Sequence, residues 1–504
     1  MKQTFKAVAM AMLMALMTFT VNAADFTVDG INYNVLSFTD FTCEVTTGDY
    51  EGNIVIPSEV TYNSKVLKVT CIGEKAFFKC SNLTSVNLPD GLTTIESEAF
   101  SGCNSLTSIN FPNGLTVIEY SAFRNCNSIT SPVDLQVGLT TIESYAFKGC
   151  SSITSVNLPE GLTTIGEDVF SQCSSLTSIV LPESLSVISD GAFSSCSNLG
   201  SVNFSNGLKT IGHGAFESCS SLASLIFPES LTYIDWFAFR YCHNLVSVEL
   251  PEKLVKIQKG AFGGTKISSI NLGPNLEELN SGTFSGCHFL SLTIPGNIKT
   301  IYPYSAESTD YIGKCFSYID ELKFEYSSQP LYLSDYKYER YDNDLLSPLG
   351  IKKLYLDRQL PYTTDRRGIA ITLDLPDLEE FTLGKNIVEL TGLDKCDNLK
   401  RIVCESAVPA KVLVSFTNKQ YMEMEVRVPQ NALEAYKQHP EWKNFWNLVG
   451  DPELCGIDDI VDSNAIVKEI SRYDLSGRPV TEDYEGLVIV RYSDGSTRKV
   501  VSRK

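Results

Sequence analysis

The sequence is short of positive charge and of the residues from which most active sites are built. Its 41 Lys and Arg face 60 Asp and Glu, for a formal net charge of −19, and it holds only four His. Because nucleic acid and anionic membranes attract basic surfaces, this balance argues against both as partners. The motifs G-x-x-x-x-G-K-[ST], G-x-G-x-x-G, H-E-x-x-H and G-x-S-x-G are missing. We therefore expect no enzyme, no cofactor and no metal site.

Long apolar runs are scarce as well, with one exception at the N-terminus. Two lysines precede an apolar stretch at residues 7–21, and the small-x-small triplet at 21–23 offers a cleavage site. This order is that of a secretory signal peptide, since the stretch is too short for a typical membrane span. The sequence predicts a signal peptide at 1–23, no transmembrane segment, and an exported protein that resides at the cell surface or outside the cell.

What the sequence has in abundance is repetition, with a period of about 23 residues. Its clearest marker is a Phe that recurs at intervals of 22 to 24 residues: Phe77, Phe100, Phe123, Phe147, Phe170, Phe193, Phe216, Phe239, Phe262 and Phe284. A fixed period of this length indicates a solenoid, in which stacking buries apolar columns that no single repeat buries alone.

One repeat shows how its residues are expected to fold. Leu83, Val86 and Leu88 follow the L-x-x-L-x-L pattern of a leucine-rich repeat strand. Pro89 ends the strand because proline cannot donate a ladder hydrogen bond. A second short extended segment follows at 92–95. The pattern predicts a β-rich leucine-rich repeat solenoid, a curved parallel sheet of about 23-residue repeats.

Fifteen cysteines in an exported chain would ordinarily suggest disulfides. Ten of them instead occupy one place, three residues after the Phe position: Cys80, Cys103, Cys126, Cys150, Cys173, Cys196, Cys219, Cys242, Cys287 and Cys396. Such a column is typical of small buried hydrophobic groups, so we expect free thiols there. A disulfide stays open among the other five: Cys43, Cys71, Cys315, Cys404 and Cys455.

The chain divides according to how strictly it keeps the period. The predicted segments are a β cap (24–70), regular repeats (71–301), divergent repeats with insertions (302–429), a second cap (430–449), a linker (450–465) and a small all-β domain (466–504). In the second cap, Trp442, Phe445 and Trp446 are expected to cover the open end of the last repeat rather than to bind a sugar.

The repeats resemble the BspA-like leucine-rich repeat family of bacterial surface proteins. Residues 170–188, FSQCSSLTSIVLPESLSVI, show the order Phe, Cys, Leu, strand, Pro, Leu, Ile that recurs many times. The resemblance covers about 71–301 and continues more weakly to about 449. It implies a non-enzymatic surface protein that adheres to host extracellular proteins or to other bacteria.

The C-terminal segment 466–504 is similar to the sorting domain of the type IX secretion system of Bacteroidetes. The similar pieces are YDLSGRPV, GLVIVRYSDG and a basic end. The resemblance implies recognition by the type IX secretion machinery, followed by attachment to the cell surface or release. An ordinary terminal β domain is the alternative.

Binding residues are expected where the repeat does not dictate the side chain. The strand rows are mostly small and polar, with one apolar patch near Val180, Ile226, Tyr233 and Trp236. The segment 302–362 holds 11 of the 23 Tyr and the longest insertions, and tyrosine is favoured at recognition surfaces. The predicted binding residues are Tyr233, Trp236, Tyr302, Tyr304, Tyr311, Tyr332, Tyr336, Tyr338 and Tyr341. Solvated strand faces and aromatics packed in irregular turns are the alternatives.

Two functions stay open on the sequence alone. The first is an adhesin whose partner is a host extracellular matrix protein or a bacterial surface protein. The second is a surface component that captures glycan or peptide for a nutrient-uptake system.

Overall fold

The computed structural model describes residues 24–302, 315–329, 331–333, 350–358, 375–390, 393, 396–455, 469–474, 479–480, 486–492 and 497–502. The predicted signal peptide lies outside these residues. No helix in the described part of the chain is long and apolar enough to cross a membrane.

The N-terminal strands are already part of the stack. They are β1 Phe26–Val28, β2 Ile31–Ser37, β3 Thr42–Val45, β4 Gly52–Val55, β5 Glu59–Tyr62 and β6 Lys65–Ile72. Antiparallel pairing joins β1 to β2, β2 to β3 and β5 to β6, whereas β3 runs parallel to β6. Parallel stacking therefore begins before residue 71, inside the segment predicted as a separate cap.

Each regular repeat contributes two short strands to the stack. The strands are β7 Leu83–Asn87, β8 Thr94–Ile95, β9 Ser108–Ile109, β10 Val117–Ile118, β11 Val133–Asp134, β12 Thr141–Ile142, β13 Val156–Asn157, β14 Thr164–Ile165, β15 Ser178–Val180, β16 Val187–Ile188, β17 Ser201–Asn203, β18 Thr210–Ile211, β19 Ser224–Ile226, β20 Tyr233–Ile234, β21 Ser247–Glu249 and β22 Lys256–Ile257. Within this series, odd-numbered strands pair with odd ones and even-numbered strands with even ones, always in parallel, and β7 also pairs in parallel with β4. The predicted β-rich solenoid of about 23-residue repeats is confirmed.

The core of the stack is a ladder of phenylalanine rings. Eleven rings from Phe77 to Phe316 are stacked with centroids 4.7–5.9 Å apart and planes within 14° of parallel. Tyr50 adds a tilted ring at the N-terminal end, 4.6 Å from Phe77. The sequence pattern missed Phe316 because the insertion before it lengthens the spacing from Phe284 to 32 residues.

The cysteine column lies beside the ladder and is buried, as predicted. From Cys103 to Cys242, each thiol donates a hydrogen bond to the carbonyl of the ladder Phe in the preceding repeat, with distances of 3.0–3.3 Å. Each carbonyl also accepts from the backbone N–H of its own repeat's Cys, as Phe147 does from Cys150 at 3.1 Å. All fifteen cysteines are free, the five outside the column included.

From Phe77 to Phe284, the turn around each ladder Phe contains two residues with left-handed backbone, two positions before and two after the ring. The first column, with φ of 54–70°, is Lys75, Glu98, Ser121, Tyr145, Asp168, Gly191, Gly214, Phe237, Gly260 and Gly282. The second column, with φ of 58–87°, is Lys79, Gly102, Asn125, Gly149, Gln172, Ser195, Ser218, Tyr241, Gly264 and Gly286. Many of these are not glycine, although this conformation costs other L-residues roughly 1–2 kcal/mol.

The divergent repeats continue the stack, but their strands are distributed among the sheets differently from those of the regular repeats. Their elements are β23 Glu278–Leu279, β24 Phe284–Ile294, β25 Thr300–Ile301, β26 Phe316–Phe324, β27 Tyr332–Leu333, β28 Lys353–Leu356, β29 Glu380–Leu383, β30 Glu389–Leu390, β31 Arg401–Cys404, β32 Lys411–Val412, α1 Asn418–Glu423, β33 Glu425–Pro429, α2 Leu433–Gln438 and β34 Asn447–Asp451. Seven of them form one parallel sheet in the order β24-β26-β28-β29-β31-β33-β34. Leu322, Leu354, Phe381 and Ile402 are in register across it, as the weakened pattern predicts.

The aromatic residues of the second cap do not all behave as predicted. Trp442 is buried, and its indole N–H donates to the carbonyl of Ala410 at 2.7 Å. Phe445 is buried as well, but Trp446 is 75% exposed, so the prediction that all three cover the last repeat is wrong for Trp446. The structured chain also runs past residue 449, because β34 and a 3₁₀ turn at Pro452–Leu454 follow directly.

The C-terminal strands form a separate antiparallel sheet, in the order β36-β35-β37-β38. Their bounds are β35 Glu469–Asp474, β36 Pro479–Val480, β37 Gly486–Tyr492 and β38 Thr497–Ser502. The small all-β unit expected at the C-terminus is therefore present in the fold.

Candidate functional site

The regular repeats expose two long strand faces. The first-strand face is the outward side of the odd-numbered strands β7 to β21, and the second-strand face is that of the even-numbered strands β8 to β22. Part of their polar character is structural. The hydroxyls of Thr93 and Thr116 donate to the carbonyls of Thr70 and Thr93, at 3.1 and 3.0 Å. Threonine columns of this kind tie neighbouring repeats together.

The predicted apolar patch is divided between these faces. Val180 and Ile226 are 61% and 71% exposed and belong to β15 and β19 of the first-strand face. Tyr233 lies in β20 of the second-strand face, and Trp236 follows in the adjoining turn. The expectation of one patch is therefore wrong, because the tight turn between the two strands of a repeat carries the chain from one sheet to the other.

Tyr233 and Trp236 are held together by a polar network. The Tyr233 hydroxyl donates to Asp235 Oδ1 at 3.3 Å and accepts from the Gln258 side-chain amide at 2.8 Å. The backbone N–H of Trp236 donates to the same Asp235 oxygen at 2.7 Å. Burial raises the pKa of Tyr233, and the carboxylates of Asp235 and Asp190 raise it further. The phenol is thus a fixed, neutral hydrogen-bonding group.

The Trp236 indole itself stands clear of this network. It is 47% exposed, while the backbone carbonyl of Trp236 accepts from Gly214 at 2.9 Å and holds the turn in place. In the preceding repeats, His213 and Asp190 occupy the same place, three residues before the ladder Phe. Asp190 Oδ1 accepts from the backbone N–H of His213 at 2.8 Å. Asp190, His213 and Trp236 therefore form one exposed column across three repeats.

Asp190, His213, Asp235 and Gln258 were not among the predicted binding residues. Aligning the repeats on the ladder Phe would have placed Asp190 and His213 level with Trp236, because all three precede that ring by three residues. The side-chain contact between Gln258 and Tyr233 has no such signal, since it joins residues 25 apart in the sequence.

The predicted tyrosines of the insertions are described only in part. Tyr332 begins β27 and pairs in register with Thr300, which continues the second-strand series. Tyr302 follows β25, and its backbone N–H donates to Leu279 at 2.8 Å. Both positions thus lie on the same side of the stack as Tyr233. The other predicted binding residues lie outside the described residues: Tyr304, Tyr311, Tyr336, Tyr338 and Tyr341.

One cluster in the described residues brings possible metal ligands together. Single ligand atoms of Glu44, Cys71 and Glu96 lie within 4.8 Å of one another. The Cys71 thiol donates to Glu96 Oε1 at 3.3 Å, and Glu96 Oε2 accepts from the backbone N–H of Glu74 at 2.9 Å. Burial raises the pKa of the Cys71 thiol, and both carboxylates raise it further. The hydrogen bonds give the Cys71 thiol and the Glu96 carboxylate partners within the protein.

The charges of the seven-stranded sheet are paired among themselves. Across its outward face, Arg401 contacts Glu380 at 2.8 Å and Glu425 at 3.0 Å, and Lys353 contacts Glu321 at 2.6 Å. Such pairs contribute little to stability at an exposed face, but they leave few charges for a partner. The second-strand face near Trp236 is therefore the better candidate for binding.

Comparison with known proteins agrees with this architecture. The BspA type leucine-rich repeat region matches at residues 70–200, 131–246 and 186–312. A search of curated protein sequences gave no match.

Several solved structures are similar to the chain. A leucine-rich repeat protein from Bacteroides ovatus is 22% identical over 85% of this chain and 99% of its own, with a TM-score of 0.49. A leucine-rich repeat protein from T. pallidum is 29% identical over 39% of this chain and 90% of its own (TM-score 0.35). A leucine-rich cell surface protein from Faecalibacterium prausnitzii is 19% identical over 77% and 95% (TM-score 0.40). Residues 70–312 thus match the BspA type leucine-rich repeat region, and the fold of the chain is a leucine-rich repeat solenoid.

Proposed function

We propose that this protein is an exported, non-enzymatic adhesin whose repeats bind a host extracellular matrix protein or a surface protein of another bacterium. The observation that carries the proposal is the pair of long strand faces, which keep apolar side chains exposed on an otherwise small and polar surface. Val180, Ile226 and Trp236 are 61%, 71% and 47% exposed. Solenoids generally use such extended surfaces for binding, and leucine-rich repeat proteins are generally binding proteins.

The rigidity of the stack supports this function. The ladder rings and the cysteine column are buried along the whole regular segment, so the strand faces stand on a packed core. A surface that is already ordered loses little conformational freedom when a partner binds. Protein partners of ordinary interface size, about 800 Å² on each side, would span several repeats.

The Tyr-rich segment 302–362 is proposed to add to this surface. Tyr302 and Tyr332 follow the second-strand series that also contains Tyr233, so a partner that extends along this face contacts all three. Deleting the insertions while keeping β25 to β28 should weaken binding. Undiminished binding by that variant would limit the site to the regular repeats.

Capture of glycan or peptide for nutrient uptake is the second candidate. This hypothesis is favoured by the exposed Trp236 indole, which has the Tyr233 hydroxyl and the Asp235 carboxylate beside it. Aromatic faces and planar polar groups bind sugars as well as proteins.

Export is proposed to use the signal peptide at 1–23 and the type IX machinery, with the C-terminal β unit as the sorting signal. Removing residues 466–504 should leave the protein in the periplasm, which cell fractionation measures. Unchanged surface display after this deletion would show that the unit is an ordinary terminal domain.

Binding is tested with the mature chain against a panel of matrix proteins, bacterial surface extracts and polysaccharides. The adhesin function predicts saturable binding to at least one protein, with a matched loss of adhesion by cells that lack the chain. Binding to polysaccharide alone would support the nutrient-capture function instead.

A further inference from the structure

The turns on one side of the stack carry a series of negative charges, broken only in the repeat of Phe216, where Gly212 and His213 stand instead. We call the places three and four residues before each ladder Phe the turn-entry columns. From Gly73 to Trp236 they contain seven carboxylates and no Lys or Arg: Glu74, Glu96, Glu119, Glu143, Glu167, Asp190 and Asp235. The first cation in these columns is Lys259, in the repeat after Trp236.

Most of these carboxylates are fixed by the backbone of the neighbouring repeat. Glu119 Oε2 accepts from the backbone N–H of Ser97 at 3.1 Å, and Glu143 Oε2 accepts from that of Tyr120 at 3.0 Å. Asp190 lies in the space left by the missing side chain of Gly212, where a Cβ would come within 2.5 Å of Asp190 Oδ1. These contacts orient the carboxylates, and among the described residues only Glu74 of the seven is in an ion pair, with Lys75 at 2.7 Å.

Asp190 and Asp235 are the last two carboxylates of the series, and Lys259 follows them one repeat after Trp236. Among the described residues, neither Asp190 nor Asp235 forms an ion pair, whereas the carboxylates of the seven-stranded sheet are paired with Arg or Lys. Asp190 and Asp235 lie two repeats apart, about 10 Å along the stack, with the exposed Trp236 indole beside Asp235. An aromatic face next to unpaired carboxylates attracts a cation through both the ring quadrupole and the charges.

We propose that the Trp236 face, which comprises Asp190, His213, Tyr233, Asp235 and Trp236, docks a cationic segment of a partner protein. A Lys or Arg side chain of that segment lies over the Trp236 indole with its charge directed at Asp235, and a second cationic residue lies beside Asp190, about 10 Å along the stack. The rest of the segment follows the acidic turn-entry columns toward Glu143. This inference rests on the proposed protein-binding function and adds the chemistry of the partner.

Charge complementarity selects this occupant over a glycan. Sugars gain from aromatic stacking and hydrogen bonds but are indifferent to net charge, so they do not explain why a series of seven carboxylates lacks Lys and Arg. A cationic segment uses both features, and its attraction is screened by salt.

The test uses the full-length chain and two labelled peptides that differ only at the cationic positions. One peptide has Arg at each of these positions, and the other has the neutral isostere citrulline. Fluorescence anisotropy at low and high salt measures affinity, and maltohexaose is titrated in parallel. The Arg peptide should bind at least about tenfold more tightly than the citrulline peptide at low salt.

Single substitutions separate the contribution of the Trp236 indole to peptide affinity from that of the carboxylates. Trp236→Ala should weaken the Arg peptide about tenfold. Asp190→Asn and Asp235→Asn keep the oxygen that accepts the backbone N–H, and each should weaken binding about threefold. Trp446→Ala removes the other exposed indole, and Glu380→Gln removes a carboxylate that is already paired, so both should bind like the wild type. Circular dichroism checks that each variant folds.

Equal affinity for the Arg and citrulline peptides, or wild-type binding by Trp236→Ala, would overturn the proposal. Binding of maltohexaose that is lost in Trp236→Ala, without Arg-peptide binding, would assign the face to glycans instead. The adhesin function is tested separately, by binding of the mature chain to the panel of proteins. A variant that loses the Arg peptide but still binds its panel protein refutes this docking site and leaves the adhesin function standing.

Discussion

Replacing one ring of the phenylalanine ladder should destabilise the stack by an amount that depends on the ring and not only on buried volume. Phe170 is fully buried, 5.5 Å from the Phe147 ring and 5.6 Å from the Phe193 ring, with planes within 14° of parallel. Truncation to alanine removes the whole side chain from the core, so Phe170→Ala should cost about 4 kcal/mol of unfolding free energy.

A leucine substitution separates the contribution of ring stacking from that of buried volume, because leucine is apolar and fills most of the same space. Phe170→Leu loses two stacked ring pairs, each worth roughly 0.5–1.5 kcal/mol beyond area burial, and should therefore cost about 2 kcal/mol. Val180→Ala is the matched control within the same repeat. That side chain is 61% exposed, and its truncation should change stability by less than about 0.5 kcal/mol.

Stability is measured by urea unfolding followed by circular dichroism, with hydrogen exchange used to localise the loss. Because each repeat contacts only its neighbours, exchange should rise first in the backbone of residues 147–193. A cost below about 1 kcal/mol for Phe170→Leu would refute the contribution of ring stacking. Equal acceleration of exchange along the whole chain would refute the nearest-neighbour description.

Three further predictions concern the thiols and the turns. Ellman's reagent should modify only the half-exposed Cys455 in the native chain, and the other fourteen cysteines only after unfolding, since they are buried. In reductant, stability should fall as pH rises above about 9, because burial raises the pKa of Cys196 and Cys242 to about 12 and the unfolded chain releases its thiol protons first. The loss of stability is measured as the fall of the urea midpoint with pH, and it should be smaller in a Cys196→Ala/Cys242→Ala variant. The same fall in the variant as in the wild type would contradict this explanation. Ser195 has a φ of 60°, so Ser195→Gly should raise the melting temperature, whereas Gly149→Ala should lower it because its Cβ would meet the Asn125 side chain at 2.4 Å.

The repeat was predictable from the sequence because stacking forces the same residue into the same place in every repeat. Phe170, Cys173, Leu176 and the strand residue Ile179 recur at a fixed spacing, and all four are buried. The hydrogen-bond partners of these residues were not predictable from the sequence. The thiol of Cys173 donates to the Phe147 carbonyl, a contact between residues 26 apart that depends on the offset between repeats.

The candidate site was predicted only in part, for reasons that differ from residue to residue. Trp236 stands out because the chain has three tryptophans and this one interrupts the repeat. Asp190 and His213 look like ordinary surface residues until the turn places them level with Trp236. Val180 and Ile226 were grouped with Trp236 because nothing in the residue order shows that the turn moves them to another sheet.

The turns also explain why the turn-entry columns are free to vary. Their backbone is fixed by bonds that need no particular side chain three residues before the ring, such as those from Phe170 to Ala192 and from Phe216 to Ala238, both 2.8 Å. That place is accordingly occupied by residues as different as Tyr120, Asp190 and Trp236. A ladder Phe or a column Cys has no such freedom, since its atoms fill the core. The fold therefore leaves the place three residues before the ring open to an exposed indole such as that of Trp236, and the proposed docking of a cationic segment uses this freedom.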